Sequence, residues 1–347
     1  MRIRAYAKIN LGLRVLGGRE DGYHEIRTLM QSISLADELE LEPRPSGVTL
    51  EVEPDLGIPP EENLVYRAAR LILARAGCSE GVHIRLLKRI PAGAGLGGAS
   101  SDAAATLAGI NELFQLGFRK EELKALGLEL GSDAPFFFEG GLCRAEGRGE
   151  RLSRLPSPFS DHFIVLLKPP CALRTAEVYA EFDRTGEEPA EGQKLRMHSS
   201  HDLIRTEMRP PRGWKRLLRR ANVEPGEAEA KGEELEYELD LANDLEGAAW
   251  KLCPELKGYR AFLERWRERV GLFFGMSGSG PTYYAFSWAW RPGLMAGRRD
   301  KHISKRFLTR PRSELERFMG EARDLGAWVS LCLPTQVGYE FEPKDRP

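Results

Sequence analysis

The chain has 347 residues, more than one hydrophobic core usually organises, and its 41% hydrophobic and 30% charged residues exclude a disordered profile. Its 51 basic residues nearly cancel its 52 acidic ones, which excludes a global field for collecting nucleic acid or anionic lipid. The five cysteines are widely separated without a Cys-x-x-Cys pair, which argues against a zinc site or a disulfide framework and for a reducing compartment.

The N-terminus, MRIRAYAKINLGL, lacks the apolar core of a signal peptide, and no run approaches the roughly 18 apolar residues of a membrane span. A soluble, cytoplasmic protein is expected. Alternation with period two begins at once: Ile3, Ala5 and Ala7 share one face, and Leu11, Leu13 and Val15 extend the pattern to Gly17-Gly18. Short strands are expected over 26–33, 38–42 and 48–53. Asn63 precedes LVYRAARLILARAG, whose Leu64, Ala68, Leu71 and Ile72 recur at helical spacing before Gly77.

A strand GVHIRLLKRI then runs into the glycine-dense PAGAGLGGASS and the small, apolar helix DAAATLAGINELF. A shorter helix, 120–128, leads to Gly131-Ser132-Asp133, and PFFFEGG has the composition of a buried strand. Farther on, DHFIVLLKPP reads as a central strand stopped by Pro169-Pro170, and Thr175 is placed to cap helix AEVYAEF. Helices after Asn243 and Pro254, the strand-turn-strand LFFGMSGSGPTYYAFS, helix 314–325 and strand AWVSLCL complete an α+β pattern. Two charged stretches look like additions. Residues 209–220 hold six basic residues and 224–238 hold seven glutamates, while 291–312 hold eight basic residues and one acid. Solvated charged faces account for them most simply. With only Trp214 and Phe307 available for stacking, no nucleic-acid partner is expected.

The glycine loop carries the most chemical information. It comprises Pro91, Ala92, Gly93, Ala94, Gly95, Leu96, Gly97, Gly98, Ala99, Ser100 and Ser101. Its glycines admit φ > 0 and close approach of backbone to a ligand. It ends where a helix begins, so free N–H groups and the helix dipole favour an anion there. No lysine follows the glycines, which excludes the Walker loop. The bare GxGxxG spacing lacks the first βαβ unit and the acidic residue of a dinucleotide site. A triphosphate suits such a nest, and a purely structural loop remains open on spacing alone. Asp133 has no packing purpose before an apolar run, which suits a general base, although a turn aspartate has the same signature. Lys8 interrupts the apolar AKINL and is placed either to orient Asp133 or to snorkel from a strand edge.

Four stretches together resemble one family: AYAKINLGLRVLGGREDGYHEIRTLMQSISLAD, PAGAGLGGASSDAAATLAGIN, LGSDAPFFFEGGLCRAEGRGE and MSGSGPTYYAF. They identify the chain as similar to the GHMP kinase superfamily and, through DGYHE, to its 4-diphosphocytidyl-2-C-methyl-D-erythritol kinase family. The resemblance implies ATP and Mg2+, with 91–101 around the phosphates and Asn63 near adenine or ribose. It implies Lys8 and Asp133 as the catalytic pair, Tyr23 and Tyr179 as stacking platforms for cytosine, and His24 at the edge of the base. Asn10 and Thr175 would position the erythritol portion, and no protein metal ligand is assigned. Gly278-Ser279-Gly280 would border the cleft.

The implied fold is α+β with two domains. An N-terminal ribosomal protein S5 domain 2-like unit would span 1–158, and a ferredoxin-like unit 159–347, with charged insertions near 209–238 and 291–312. The implied partner is the small-molecule substrate, with no membrane, in a monomer or weak dimer. Two alternatives stay open: a GHMP kinase acting on mevalonate- or homoserine-type substrates, and a non-enzymatic nucleotide- or RNA-binding protein. Ser132 stands where relatives often carry alanine.

Overall fold

The computed structural model describes residues 1–157, 162–186, 194–198, 236–287, 290 and 311–342. Its first sheet is built on two long strands, β1 (Arg2–Gly18) and β2 (His24–Arg44), paired antiparallel from Arg2↔Glu40 to Gly18↔His24. The three short strands expected from 26–33, 38–42 and 48–53 become two. Residues 24–44 run as one strand that irregularities in the pairing bend rather than break, and β3 (Val48–Glu53) follows it. β4 (Gly81–Leu87) pairs antiparallel with β2 and parallel with β3. β5 (Leu142–Gly147) and β6 (Arg151–Leu155) extend the sheet from the other half of β2.

Helices α1 (Leu64–Ala76), α2 (Gly98–Leu113) and α3 (Lys120–Leu130) cover this sheet. The side chain of Asn63 accepts from Val65 N–H at the head of α1, a cap worth about 1 kcal/mol, and Gly77 closes the helix in the left-handed region. α2 approaches so closely that a Cβ on Gly109 would lie 2.4 Å from Ile3 Cδ1. The run PFFFE is a short helix, α4 (Ala134–Glu139), not the expected strand. All three phenylalanines are buried, so the segment shows no alternation to read, and Pro135 at the helix start decides for helix.

A second, four-stranded antiparallel sheet has the order β10 (Phe273–Met276), β11 (Tyr283–Phe286), β7 (Ile164–Lys168), β12 (Trp328–Cys332). β7 is central, as its unbroken apolar run predicts. Its period of two divides the labour. Val165 and Leu167 face a core with α6 (Glu246–Leu252), α7 (Leu256–Val270) and α8 (Pro311–Asp324), while Ile164 and Leu166 join Ala7, Ile9 and Leu11 of β1. Each fully buried Leu or Ile contributes about 1.5–3 kcal/mol, so the two sheets share a wall of real strength. The chain is thus a two-domain α+β protein. Strands β8 (Lys194–His198) and β9 (Glu236–Asp240) pair with each other, and β13 (Tyr339–Phe341) returns to pair with Ile3–Ala5.

α5 (Thr175–Thr185) starts after Arg174, so Thr175 is the first helical residue rather than the cap. Spacing argues against a disulfide framework, and the structure has a single pair among the described residues, Cys171–Cys253, with Cα atoms 6.9 Å apart, because their segments meet in the fold although 82 residues separate them. The expected boundary at 158/159 and nearly all of 209–238 and 291–312 lie outside the described residues, apart from 236–238 at the start of β9 and 311–312 at the start of α8.

Candidate active site

Lys8 lies on β1 with its side chain 4% exposed, and its Nζ is 3.2 Å from Asp133 Oδ2. The ammonium also donates to Asn10 Oδ1 at 2.6 Å. Asn10 Nδ2 donates to Thr28 Oγ1, which donates to the Gly12 carbonyl at 2.6 Å. A buried charge is tolerated only when its donors are occupied, and this chain of partners fixes the lysine along β1 and β2. Asp133 stands at the head of α4, but its side chain makes no cap bond, so the carboxylate is left to the cleft and to Lys8.

The glycine loop packs against the same lysine. A Cβ on Gly97 would lie 3.0 Å from both Lys8 Cε and Cγ, and one on Gly278 would lie 3.5 Å from Lys8 Nζ and 3.1 Å from Asn10 Oδ1. Three motifs distant in sequence therefore meet at one ammonium. Gly93, Gly95 and Gly97 take φ of 59°, 72° and 70°. The Gly95 carbonyl accepts from Ser277 Oγ and the Leu96 carbonyl from Lys8 N–H, both at 2.9 Å. In a trans peptide N–H points opposite to C=O. The N–H groups of Leu96 and Gly97 are thus turned away from this scaffold, as an anion-binding nest requires. Gly97 at the head of α2 has no side-chain cap, and the first turn holds no acidic residue. These features fit a bound triphosphate.

Ser100 Oγ lies 3.5 Å from the position of a Cβ on Gly131 and faces the loop before Asp133. Ser101 is a correction. Its side chain is fully buried and donates to the Tyr6 carbonyl at 2.7 Å, while its N–H continues the helix to Gly97 O, so it holds α2 on the sheet rather than a phosphate. Among the described residues no cluster of three His, Cys, Asp or Glu side chains is placed to hold a metal.

A second group lies near Asp133, whose Oδ1 is 3.9 Å from the position of a Cβ on Gly149. Tyr23 is 50% exposed, with the Arg148 guanidinium 4.5 Å from its ring centroid. His24 stacks on Tyr179 at 4.7 Å and 27°, and its Nε2 is 2.7 Å from Asp183 Oδ1. Tyr179 thus faces His24 in this structure. Burial pushes its hydroxyl well above the usual tyrosine range, and the charge of Asp133 adds to that shift. The Thr175 hydroxyl meets Ser279 Oγ at 3.0 Å, which brings α5 onto the Gly278–Gly280 turn. Asn63 caps α1, which leaves its amide nitrogen as the group available to a nucleotide.

Several participants were not singled out individually from the sequence, although Ser277 lies in the MSGSGPTYYAF stretch. Ser277 bridges the Asn10 N–H and the Gly95 carbonyl, and Asn243 Nδ2 donates to the carbonyls of Met276 and Gly278 at 2.8 and 2.7 Å. Asn243 is read from the sequence only as the residue before a helix. Thr28, Arg148 and Asp183 carried no local signal.

Residues 63–141 match the model of the GHMP kinases N terminal domain. A 4-diphosphocytidyl-2-C-methyl-D-erythritol kinase from Pelotomaculum thermopropionicum is 41% identical over 285 residues, covering 82% of this chain and 88% of its own. A relative of the same name from Heliobacterium modesticaldum is 40% identical, covering 83% and 86%. The crystal structure of a 4-(cytidine 5'-diphospho)-2C-methyl-D-erythritol kinase superposes with a TM-score of 0.64 at 34% identity, covering 96% of this chain and 99% of that one. A homoserine kinase from Cytophaga hutchinsonii, at 17% identity and a TM-score of 0.62, shares the fold.

Proposed function

The chain belongs to the 4-diphosphocytidyl-2-C-methyl-D-erythritol kinase family of GHMP kinases, and from that premise we propose that it transfers the γ-phosphoryl group of ATP to the 2-hydroxyl of 4-diphosphocytidyl-2-C-methyl-D-erythritol. The observation that supports the reading is the Lys8–Asp133 pair beside the glycine loop, with Tyr179, stacked on His24, within reach of the Asp133 charge. The substrate hydroxyl oxygen bonds to the γ-phosphorus as the bond to the β,γ-bridging oxygen breaks and ADP leaves. Asp133 accepts the hydroxyl proton. Lys8 holds the Asp133 carboxylate in place and lowers the charge around the transferred group.

The loop 91–100 cradles the phosphates through its backbone, and Ser100 is the hydroxyl side chain within reach of them. Mg2+, when bound with ATP, would supply charge neutralisation, and Ser100 is the side chain of the loop that would stand nearest to it. Tyr23, backed on one face by Arg148, offers its other face to cytosine, and His24 Nδ1 reads the base edge because Nε2 faces Asp183. Asn10 and Thr175 orient the erythritol portion. No helix among the described residues is long and apolar enough to cross a membrane, and a cytoplasmic location is part of this proposal.

Purified protein with Mg·ATP and a panel of diphosphocytidyl methylerythritol, mevalonate and homoserine provides the test. Phosphate monoester product, identified by mass spectrometry, is expected from the cytidyl substrate alone. Faster turnover of either of the other two would refute the assignment.

A further inference from the structure

A buried charge cluster sits behind the glycine loop, and the chemistry above makes no use of it. β2 and β4 pair only as far as Glu38↔Leu87, so the ladder ends just before the chain departs for the loop. Asp37, fully buried on β2, takes over where the ladder stops. Its Oδ1 accepts from the N–H groups of Arg89 and Ile90, at 2.5 and 2.8 Å, and its Oδ2 accepts from Lys88 Nζ. The same ammonium donates to Asp102 Oδ2 at 2.7 Å, and Asp102 lies in α2 just beyond the loop's exit.

Entry and exit also touch directly. A Cβ on Gly98 would lie 2.9 Å from Ile90 Cγ2 and 3.4 Å from Lys88 Nζ. One carboxylate therefore gathers both ends of the loop into a neck. The far side of the loop is fastened separately, to Ser277 and β1. Two buried carboxyl groups share one ammonium here. Apolar residues would close a neck without burying charge, so packing alone gives no reason for this arrangement.

Building on the reading of 91–100 as the ATP site, we propose that Asp37 is a positioning residue for the nucleotide. Through Lys88 and Asp102 it fixes the width of the loop's neck, and hence the alignment of the phosphate-binding N–H groups. It touches neither the cytidyl substrate nor Asp133.

The test is calorimetric titration of the full chain with Mg·ATP and, separately, with diphosphocytidyl methylerythritol. Wild type, Asp37→Asn, Asp37→Ala and Lys88→Met are compared. Asp37→Asn and Lys88→Met are expected to raise the Kd for Mg·ATP about 10-fold or more, with the cytidyl Kd within about twofold of wild type. Asp37→Ala should lose more than Asp37→Asn, because an amide oxygen still accepts from Arg89 and Ile90. An unchanged Kd for Mg·ATP, or parallel weakening of both ligands, overturns the proposal. Should Asp37→Ala fail to fold, Asp37→Asn and Lys88→Met decide the matter. Wild type that binds Mg·ATP but does not phosphorylate the cytidyl compound would sink the substrate assignment and leave this comparison intact.

Discussion

Replacing Asp133 by asparagine removes one charge and almost no volume, so its effect can be worked from the structure. At 3.2 Å the pair with Lys8 is worth about 5 kcal/mol of Coulomb attraction at an effective dielectric of about 20, and about 1.3 kcal/mol in water. The Asp133 side chain is 32% exposed, which places the interaction between these limits. Lys8 keeps Asn10 Oδ1 as an acceptor, so a stability loss of about 1–2 kcal/mol is expected rather than the larger loss from a wholly orphaned buried charge. Loss of the proton acceptor should cost far more in rate, about 10²–10⁴ in kcat, or roughly 3–5 kcal/mol of barrier. Coupled detection of ADP release gives kcat and both KM values, and a urea titration gives stability. Lys8→Met and the double variant complete a cycle, and the combined loss should fall well short of the product of the single losses if the two act as a unit. A kcat for Asp133→Asn within about threefold of wild type in a folded protein would refute the reasoning.

Tyr23→Ala should raise KM for the cytidyl substrate about 5- to 150-fold, the worth of one stacked base, with KM for ATP unchanged; equal effects on both would deny Tyr23 the base. Gly97→Ala adds a Cβ at φ 70°, 2.9 Å from Phe137 Cζ and 3.0 Å from Lys8, and should lower kcat by about 10-fold or more by displacing the lysine. Kinetics indistinguishable from wild type would show that the lysine tolerates the shift. Burial pushes the Asp102 carboxyl up to about 8, with the Lys88 charge opposing and the Asp37 charge assisting. A raised folded value means that Asp102 contributes most to stability below pH 4, and that its contribution is lost as pH rises through about 8. Asp102→Asn should flatten the urea-midpoint profile between about pH 5 and 8, by at most about 1.4 kcal/mol per pH unit. An unchanged slope would show that Asp102 is already ionised across this range.

The parts legible in the sequence are those whose signal is local. Four glycines before a helix announce an anion nest wherever they fold, and a lysine within AKINL or an aspartate before PFFF is conspicuous because its neighbours are apolar. Period-two alternation located β1, and helical spacing located α1. What escaped depends on residues brought from afar. Thr28, Ser277 and Asn243 are ordinary polar residues until the fold sets them beside Lys8 and the loop. Asp37 reads as one acid among many in LADELELE, and only the end of the β2–β4 ladder gives it two free N–H groups to accept from. Ser101 misled for the complementary reason. Its neighbour Ser100 lies beside Gly131, but one residue farther along a helix turns the next hydroxyl by about 100° into the core. Complete burial hid the helical nature of PFFFE, since a segment covered on every side has no polar face from which to read a period.

The return of residues 339–341 to the first sheet has a consequence for how the molecule is made. Glu340 Oε2 accepts from Tyr6 OH at 2.6 Å, the Tyr6 N–H donates to Gly338 O, and a Cβ on Gly338 would lie 2.1 Å from Phe137 O at the helix that follows Asp133. β1 therefore waits for a segment 334 residues downstream of Tyr6 to leave the ribosome before its outer edge is paired. Until then β1 presents open N–H and C=O groups to any other strand, the circumstance in which nascent chains associate wrongly. In the finished protein the same closure ties residues 3–6 to residues 338–341 beside the helix that follows Asp133. Fraying of the C-terminal segment would consequently register at the site before it registered in the bulk of the core.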